Sequence, residues 1–179
     1  MQVADRNREA RSVVVLAVIC GVAQLAVAPN IGLANGRANF ALIFSACVAL
    51  LVGGRRAVLA GFFAGLFFDL STTGPIGLMA FCLTVSSFLL GLEERNRMSG
   101  DLAVTLALFC GADLGVSLVY HLAMLLVGQA DSLLDVVVFR TLPTALLTAV
   151  LFVPFAYYFS RMHVSGSGLG GGHFGKRGF

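Results

Sequence analysis

Long apolar runs separated by short polar or glycine-rich joints set the layout of this chain. SVVVLAVICGVAQLAVA follows Arg6, Arg8 and Arg11 and predicts a first helix over roughly 12–28. Small residues at Ala26 and Ala28 resemble a signal-peptide cut, but the apolar run exceeds a usual signal core and Pro29 follows it, so a retained helix is expected. PNIGLANGRAN reads as a loop, and ANFALIFSACVALLV as a second span near 38–53, closed by GGRR. Between Ala57 and Leu92 only Asp69 is charged, and STTGPIG divides the run into a third helix near 55–70 and a fourth near 75–92. A polar loop with Glu93, Glu94, Arg95 and Arg97 precedes a fifth span at 102–127, and GQADS joins it to a sixth at 133–160. A membrane-crossing helix needs about 20 apolar residues, so the pattern predicts an all-α integral membrane protein of six transmembrane helices.

Composition agrees, with 58% hydrophobic residues, 12% charged and a mean hydropathy of +0.92; soluble domains carry about a quarter charged residues. Charge placement divides the chain further. Five charges fall in 1–11, five in 93–101 and three in 161–179, while the 140 residues of 12–92 and 102–160 share eight. The expected domains are a cytoplasmic N-terminal segment at 1–11, a six-helix membrane domain at 12–162, and a disordered Gly-rich cytoplasmic tail at 163–179. Alternating spans collect Arg6, Arg8, Arg11, Arg55, Arg56, Arg95, Arg97, Arg161, Lys176 and Arg177 on one side and Arg37 on the other. Cytoplasmic loops are enriched in Lys and Arg, so both termini are expected in the cytoplasm. Tyr157 and Tyr158 then fall at the inner headgroup level, where amphipathic rings settle.

Several function classes drop out. No extramembrane domain remains to hold a soluble enzyme, and 18 aromatics without Trp show no basic, aromatic platform for nucleic acid. Cys20, Cys47, Cys82 and Cys110 each stand alone in an apolar run, without metal-chelating spacing, and read as packing residues. No GxSxG, HExxH or paired intramembrane Asp points to intramembrane catalysis, and neither cofactor nor metal is expected.

Two polar sets stand out. Gly61, Gly65 and Asp69 recur every four residues in GFFAGLFFDL, so a helix places two small residues and a carboxylate on one face. Asp69 then either caps the STTGPIG turn or serves a structural or binding role. Asp113 lies deep in the fifth span, followed by Ser117 and His121 at four-residue steps, with Tyr120 alongside. An ionised carboxylate there needs a partner or a proton. The stripe reads as an interhelical hydrogen-bond network, with a proton path or ligand cavity as alternatives. Arg140, at the depth of His121, calls for a carboxylate: Asp69, Asp135 or Asp113. Pro143 and Pro154 should bend the sixth helix, and Gly91, Gly111, Gly115 and Gly128 offer close contacts.

AVLAGFFAGLFFDLSTTGPIGLMAFCLTVSSFLLG resembles the central signature of the MreD family of bacterial rod shape-determining membrane proteins. The resemblance rests on Gly61, Gly65, Asp69, Gly74, Pro75, Gly77, Leu78 and Gly91, and elsewhere on hydropathy over 12–162. It implies a fold like the substrate-binding subunit of energy-coupling-factor vitamin transporters. It also implies a multi-pass protein of the bacterial inner membrane that acts as a non-enzymatic scaffold of the cell-elongation (rod) complex. The implied partners are the bitopic protein MreC and, through it, MreB, the class B transpeptidase and RodA, in lateral peptidoglycan synthesis. Self-association and contact with anionic lipid are compatible with this. The alternative is a small-molecule-binding membrane subunit of a vitamin-type transporter, in which Asp69, His121 and Arg140 meet at the outer face. A structural membrane protein of other function is the third reading.

Overall fold

A computed structural model describes residues 2–33, 35–95, 102–128 and 132–167. Each apolar run folds as a helix: α1 (Gln2–Ala26), α2 (Phe40–Leu51), α3 (Gly54–Ser71), α4 (Leu78–Arg95), α5 (Leu102–Leu126) and α6 (Leu142–Ser167). A π-helical segment, Asp135–Thr141, leads directly into α6. Two short strands, β1 (Gly32–Leu33) and β2 (Gly36–Arg37), pair antiparallel with Gly32 opposite Arg37 and Leu33 opposite Gly36. The loop expected between the first two helices therefore contains a hairpin. Strands of two residues leave no alternation to read in the sequence.

Three boundaries differ from expectation. Helix α1 begins at Gln2 rather than near residue 12, because QVADRNREAR, though polar, contains no Pro or Gly to stop a helix. Helix α6 runs on through Ser167, into the segment expected to be disordered; residues 168–179 of that tail lie outside the described residues. Helix α2 has only 12 residues, about 18 Å of rise against a hydrocarbon core of about 30 Å. It cannot cross a bilayer alone as a full second span.

Helix α2 is instead the most enclosed element. Nine of its residues, among them Phe40, Leu42, Ile43, Ala46 and Cys47, are buried where it packs against α1, α3, α4 and α6. Gly53 (φ 61°) and Gly54 (φ 59°) turn the chain into α3 in a left-handed conformation that side chains disfavour. Helices α3 and α4 form the most extensive pair, and α5 packs on α4 and α6. Phe109 of α5 and Phe152 of α6 stack with ring centroids 3.7 Å apart and planes 9° from parallel.

The outer faces of the helices are apolar, while several polar side chains are turned inward. Gln24, Asn39, Asp69, Ser87, Asp113, Ser117 and Thr148 are buried, whereas Val18, Val22, Phe63, Leu70, Phe81, Leu89 and Val150 are exposed. Ala103–Leu126 and Asp135–Tyr158 are long and apolar enough to cross a membrane, yet only 28% and 33% of an 18-residue apolar stretch of each is buried within the protein. The core helix of a soluble domain would be mostly buried. Apolar outer faces with polar side chains turned inward suit a lipid solvent.

Candidate functional site

The Gly61, Gly65, Asp69 stripe of α3 lies directly against α4. A Cβ added at Gly65 would overlap the Ala80 backbone, sitting 2.6 Å from its nitrogen and 2.6 Å from the Met79 carbonyl oxygen. One at Gly61 would overlap the Ser87 hydroxyl and lie 2.6 Å from the Leu83 carbonyl oxygen. Two backbones therefore meet where only hydrogen fits. The small-residue face of α3 is thus filled by α4. Spacing identifies a face able to admit a close neighbour but does not say which neighbour takes it.

That approach brings Asp69 to the first turn of α4. Its Oδ2 accepts from the backbone N–H of Gly77 (2.8 Å) and Ala80 (3.1 Å), and its Oδ1 from Met79 (3.1 Å). Gly77 immediately precedes α4 and has φ +98°, so the residue in the capping position has no side chain to offer. Asp69 provides the cap from the preceding helix instead. A carboxylate at a helix N-terminus satisfies free N–H groups and meets the positive end of the helix dipole, which is how a buried Asp is accommodated here. Gly74 and Pro75 are half-buried in the connecting turn. A Cβ at Gly74 would lie 2.5 Å from the Tyr120 hydroxyl, so α5 roofs the turn. Tyr120 also meets Phe68 edge-to-face at 5.8 Å.

The second polar set faces inward along α5. Ser117 Oγ donates to Asp113 Oδ1 at 3.4 Å, and Asp113 Oδ2 has no hydrogen-bond partner among the described residues. His121 Nδ1 lies 2.8 Å from the Ser117 carbonyl oxygen and 3.4 Å from Thr141 Oγ1. A carbonyl only accepts, so the first contact puts the proton on Nδ1. Arg140 pairs with Asp135, Nε to Oδ2 2.8 Å, which selects among the three carboxylates open to it. The two are five residues apart, and the π-helical winding, with its i to i+5 bonds, brings such positions onto one side. Asp69, His121 and Arg140 are thus each engaged with different groups, and the described cavity is lined by none of them.

A third cluster joins the hairpin to α6, and no sequence signal singled it out. Pro143 has no N–H for the carbonyl of Phe139 four residues back, and that carbonyl accepts from Asn35 of the hairpin loop (3.2 Å). Thr144 Oγ1 accepts from Arg37 N (3.2 Å) and Thr148 Oγ1 from Asn39 N (3.1 Å). Gln24 Oε1 accepts from Phe40 N (2.9 Å), and Asn39 Oδ1 caps Leu42 N (3.0 Å). The buried start of α2 is satisfied by side chains from α1 and α6 as well as its own cap. The available signals were a lone Gln inside an apolar helix and two Thr four residues apart.

Among the described residues, Cys20, Cys47, Cys82 and Cys110 are free, and no group of three His, Cys, Asp or Glu is placed to hold a metal ion.

Comparison with family models matches residues 7–163 to the rod shape-determining protein MreD. The chain belongs to the MreD family. No curated protein and no solved structure matches it. The match spans the helices from α1 through most of α6, so the Asp69-capped seam and the hairpin junction both lie within the MreD region. MreD proteins are membrane proteins that determine rod shape, and the two membrane-capable helices accord with that.

Proposed function

We propose that this chain is a non-enzymatic membrane scaffold of the bacterial cell-elongation complex. In this reading all six helices cross or enter the inner membrane with both termini cytoplasmic, α2 reaching the outer side together with its hairpin. The chain binds the bitopic protein MreC and, through it, works with MreB, the class B transpeptidase and RodA in lateral peptidoglycan synthesis. The family match over 7–163 carries the reading. The geometry supports it: Asp69, His121 and Arg140 are committed to internal bonds, which suits a rigid body rather than a site that opens for substrate. The basic residues Arg55, Arg56, Arg95 and Arg97 would lie against anionic lipid, and the fold relationship to the vitamin-binding transporter subunit belongs to the same proposal.

The test is affinity purification of the tagged chain from detergent-solubilised native membranes, with bound proteins identified by mass spectrometry. Recovery of MreC with wall synthases is the expected result. Recovery of ATPase subunits with a coupling membrane protein would replace the scaffold by the transporter reading.

A further inference from the structure

Three helices fix the depth of the hairpin junction. In the topology proposed above, Arg11, Arg55, Arg56 and Tyr158 lie at the inner boundary of the membrane. At 1.5 Å per residue, Thr148 on α6 stands about 15 Å above Tyr158 and Thr144 about 21 Å. Gln24 on α1 stands about 20 Å above Arg11, and α2 rises about 18 Å from its end beside Arg55 and Arg56. Gln24 accepts from Phe40 N and Thr148 from Asn39 N, so the three counts meet at one level. Helix α1 therefore stops, and α2 starts, about 10–15 Å below the outer boundary of a hydrocarbon core about 30 Å thick. The hairpin fills the remainder. Non-helical backbone does not face acyl chains at such depth, and a bilayer accommodates short spans by thinning, so headgroups descend to the hairpin.

The hairpin has a cation at that level. Gly36 is buried against α6, where an added Cβ would lie 2.6 Å from Thr144 N. The next residue, Arg37, is exposed, on the opposite side of the strand by alternation. Its cross-strand partner is Gly32, also exposed, which puts no side chain over it. The Arg37 N–H reaches Thr144 Oγ1, so the residue sits about 9 Å below the outer boundary. Asp135 is taken by Arg140, and no carboxylate pairs with Arg37 among the described residues. A cation at this depth needs a counter-charge, and arginine grips phosphate with two parallel bonds. We propose that Arg37, above the bare backbone of Gly32, binds the phosphate of an anionic phospholipid of the outer leaflet, drawn inward where α1 and α2 stop short. The inference rests on the topology of the scaffold reading and not on its protein partner. Ile31 and Leu33 beside the site are exposed and suit acyl chains, which free phosphate and a partner's carboxylate both lack.

The test purifies the full chain in detergent, adds dioleoylphosphatidylglycerol, and counts retained lipids by native mass spectrometry. Arg37→Gln should hold one lipid fewer, its occupancy down at least tenfold, at an unchanged unfolding temperature because the backbone bond to Thr144 remains. Arg37→Lys keeps the charge but loses the paired donors and should fall between the two. Gly32→Leu keeps Arg37 and covers the approach to it, so it should also lose the lipid. Equal retention by Arg37→Gln and the unsubstituted chain would overturn the site. So would binding of inorganic phosphate without lipid, or a loss of MreC rather than of lipid in Arg37→Gln, which would give Arg37 a carboxylate partner. Orientation is read separately: Asn35→Cys should react with a membrane-impermeant maleimide on intact spheroplasts, beyond the labelling of the unsubstituted chain. Reaction only after lysis would overturn the topology and the outer-leaflet assignment with it. Absence of MreC from the affinity purification would remove the scaffold reading alone, because lipid retention is measured on the purified chain.

Discussion

Gly61 and Gly65 on α3 and Gly111 and Gly115 on α5 share one sequence signature, two glycines four residues apart in an apolar helix, yet their surroundings are opposite. Over the first pair the backbone of α4 sits so close that no methyl group fits; over the second there is nothing within 4 Å. The signature therefore records a capacity for close approach, and what uses it depends on a second feature nearby. For α3 that feature is Asp69, whose carboxylate fastens the incoming N-terminus of α4. For α5 the pair instead lines an open groove beside α4. One pair is closed within the chain and the other is open.

The largest expected effect tests whether the first pair is truly closed. Gly65→Leu places a side chain where the Ala80 and Met79 backbone already lies, and backbone cannot rotate aside as a side chain can. Overpacking usually costs about 1–3 kcal/mol, and a clash with helix backbone belongs at or beyond the upper end. Thermal unfolding in detergent should show the variant strongly destabilised or unfolded. An unchanged midpoint would mean that the seam is looser than its geometry, and the contrast between the two pairs would be lost.

Asp69→Ala comes next. It removes the acceptor from three N–H groups at the start of α4, two of them buried, and should cost about 3 kcal/mol, combining a lost cap with unsatisfied donors. Asp69→Asn keeps one acceptor oxygen and turns an amide donor toward the same N–H groups, so it should fall between Ala and the native residue. Unfolding midpoints of the three proteins, compared in one detergent, check the order. If Asn and Ala are equally mild, Asp69 does not hold the helix end.

How far these features were legible follows from their periodicity. The helices were, because each is a long apolar run, and the α3 stripe was, because glycine and aspartate at helical spacing stand out in it. Which helix filled the stripe was not, since that depends on tertiary contact. The Arg140–Asp135 pair could be named only as one of three candidates because its geometry depends on a π-helical turn, for which hydrophobic periodicity has no separate signature. The hairpin junction was not legible as a unit for a related reason: Gln24, Asn39 and the Thr144, Thr148 pair lie far apart in the chain, and only tertiary contact joins them. Its weight can be measured. Thr148→Val keeps the side-chain shape but leaves the Asn39 N–H without its acceptor, a cost of about 2 kcal/mol. A neutral result would show that Asn39 finds another acceptor and that the junction matters less than the seam.

The smallest effect discriminates most finely, because the two glycine pairs should respond with opposite signs to the same substitution. Alanine is favoured over glycine inside a helix by about 0.5–1 kcal/mol. At Gly65 that gain is overwhelmed, since the added methyl would overlap Ala80. At Gly111 nothing opposes it, so Gly111→Ala should raise the unfolding temperature of the isolated chain slightly. The methyl would also stand on the floor of the open groove beside α4, so co-purification with MreC tests whether that face meets the partner. Stability is read from thermal unfolding of the purified chain, and binding from co-purification with MreC. A gain in stability with unchanged binding would leave Gly111 as an exposed glycine that only weakens its helix. A gain with a loss of binding would show that the glycine is kept for a neighbour outside the chain.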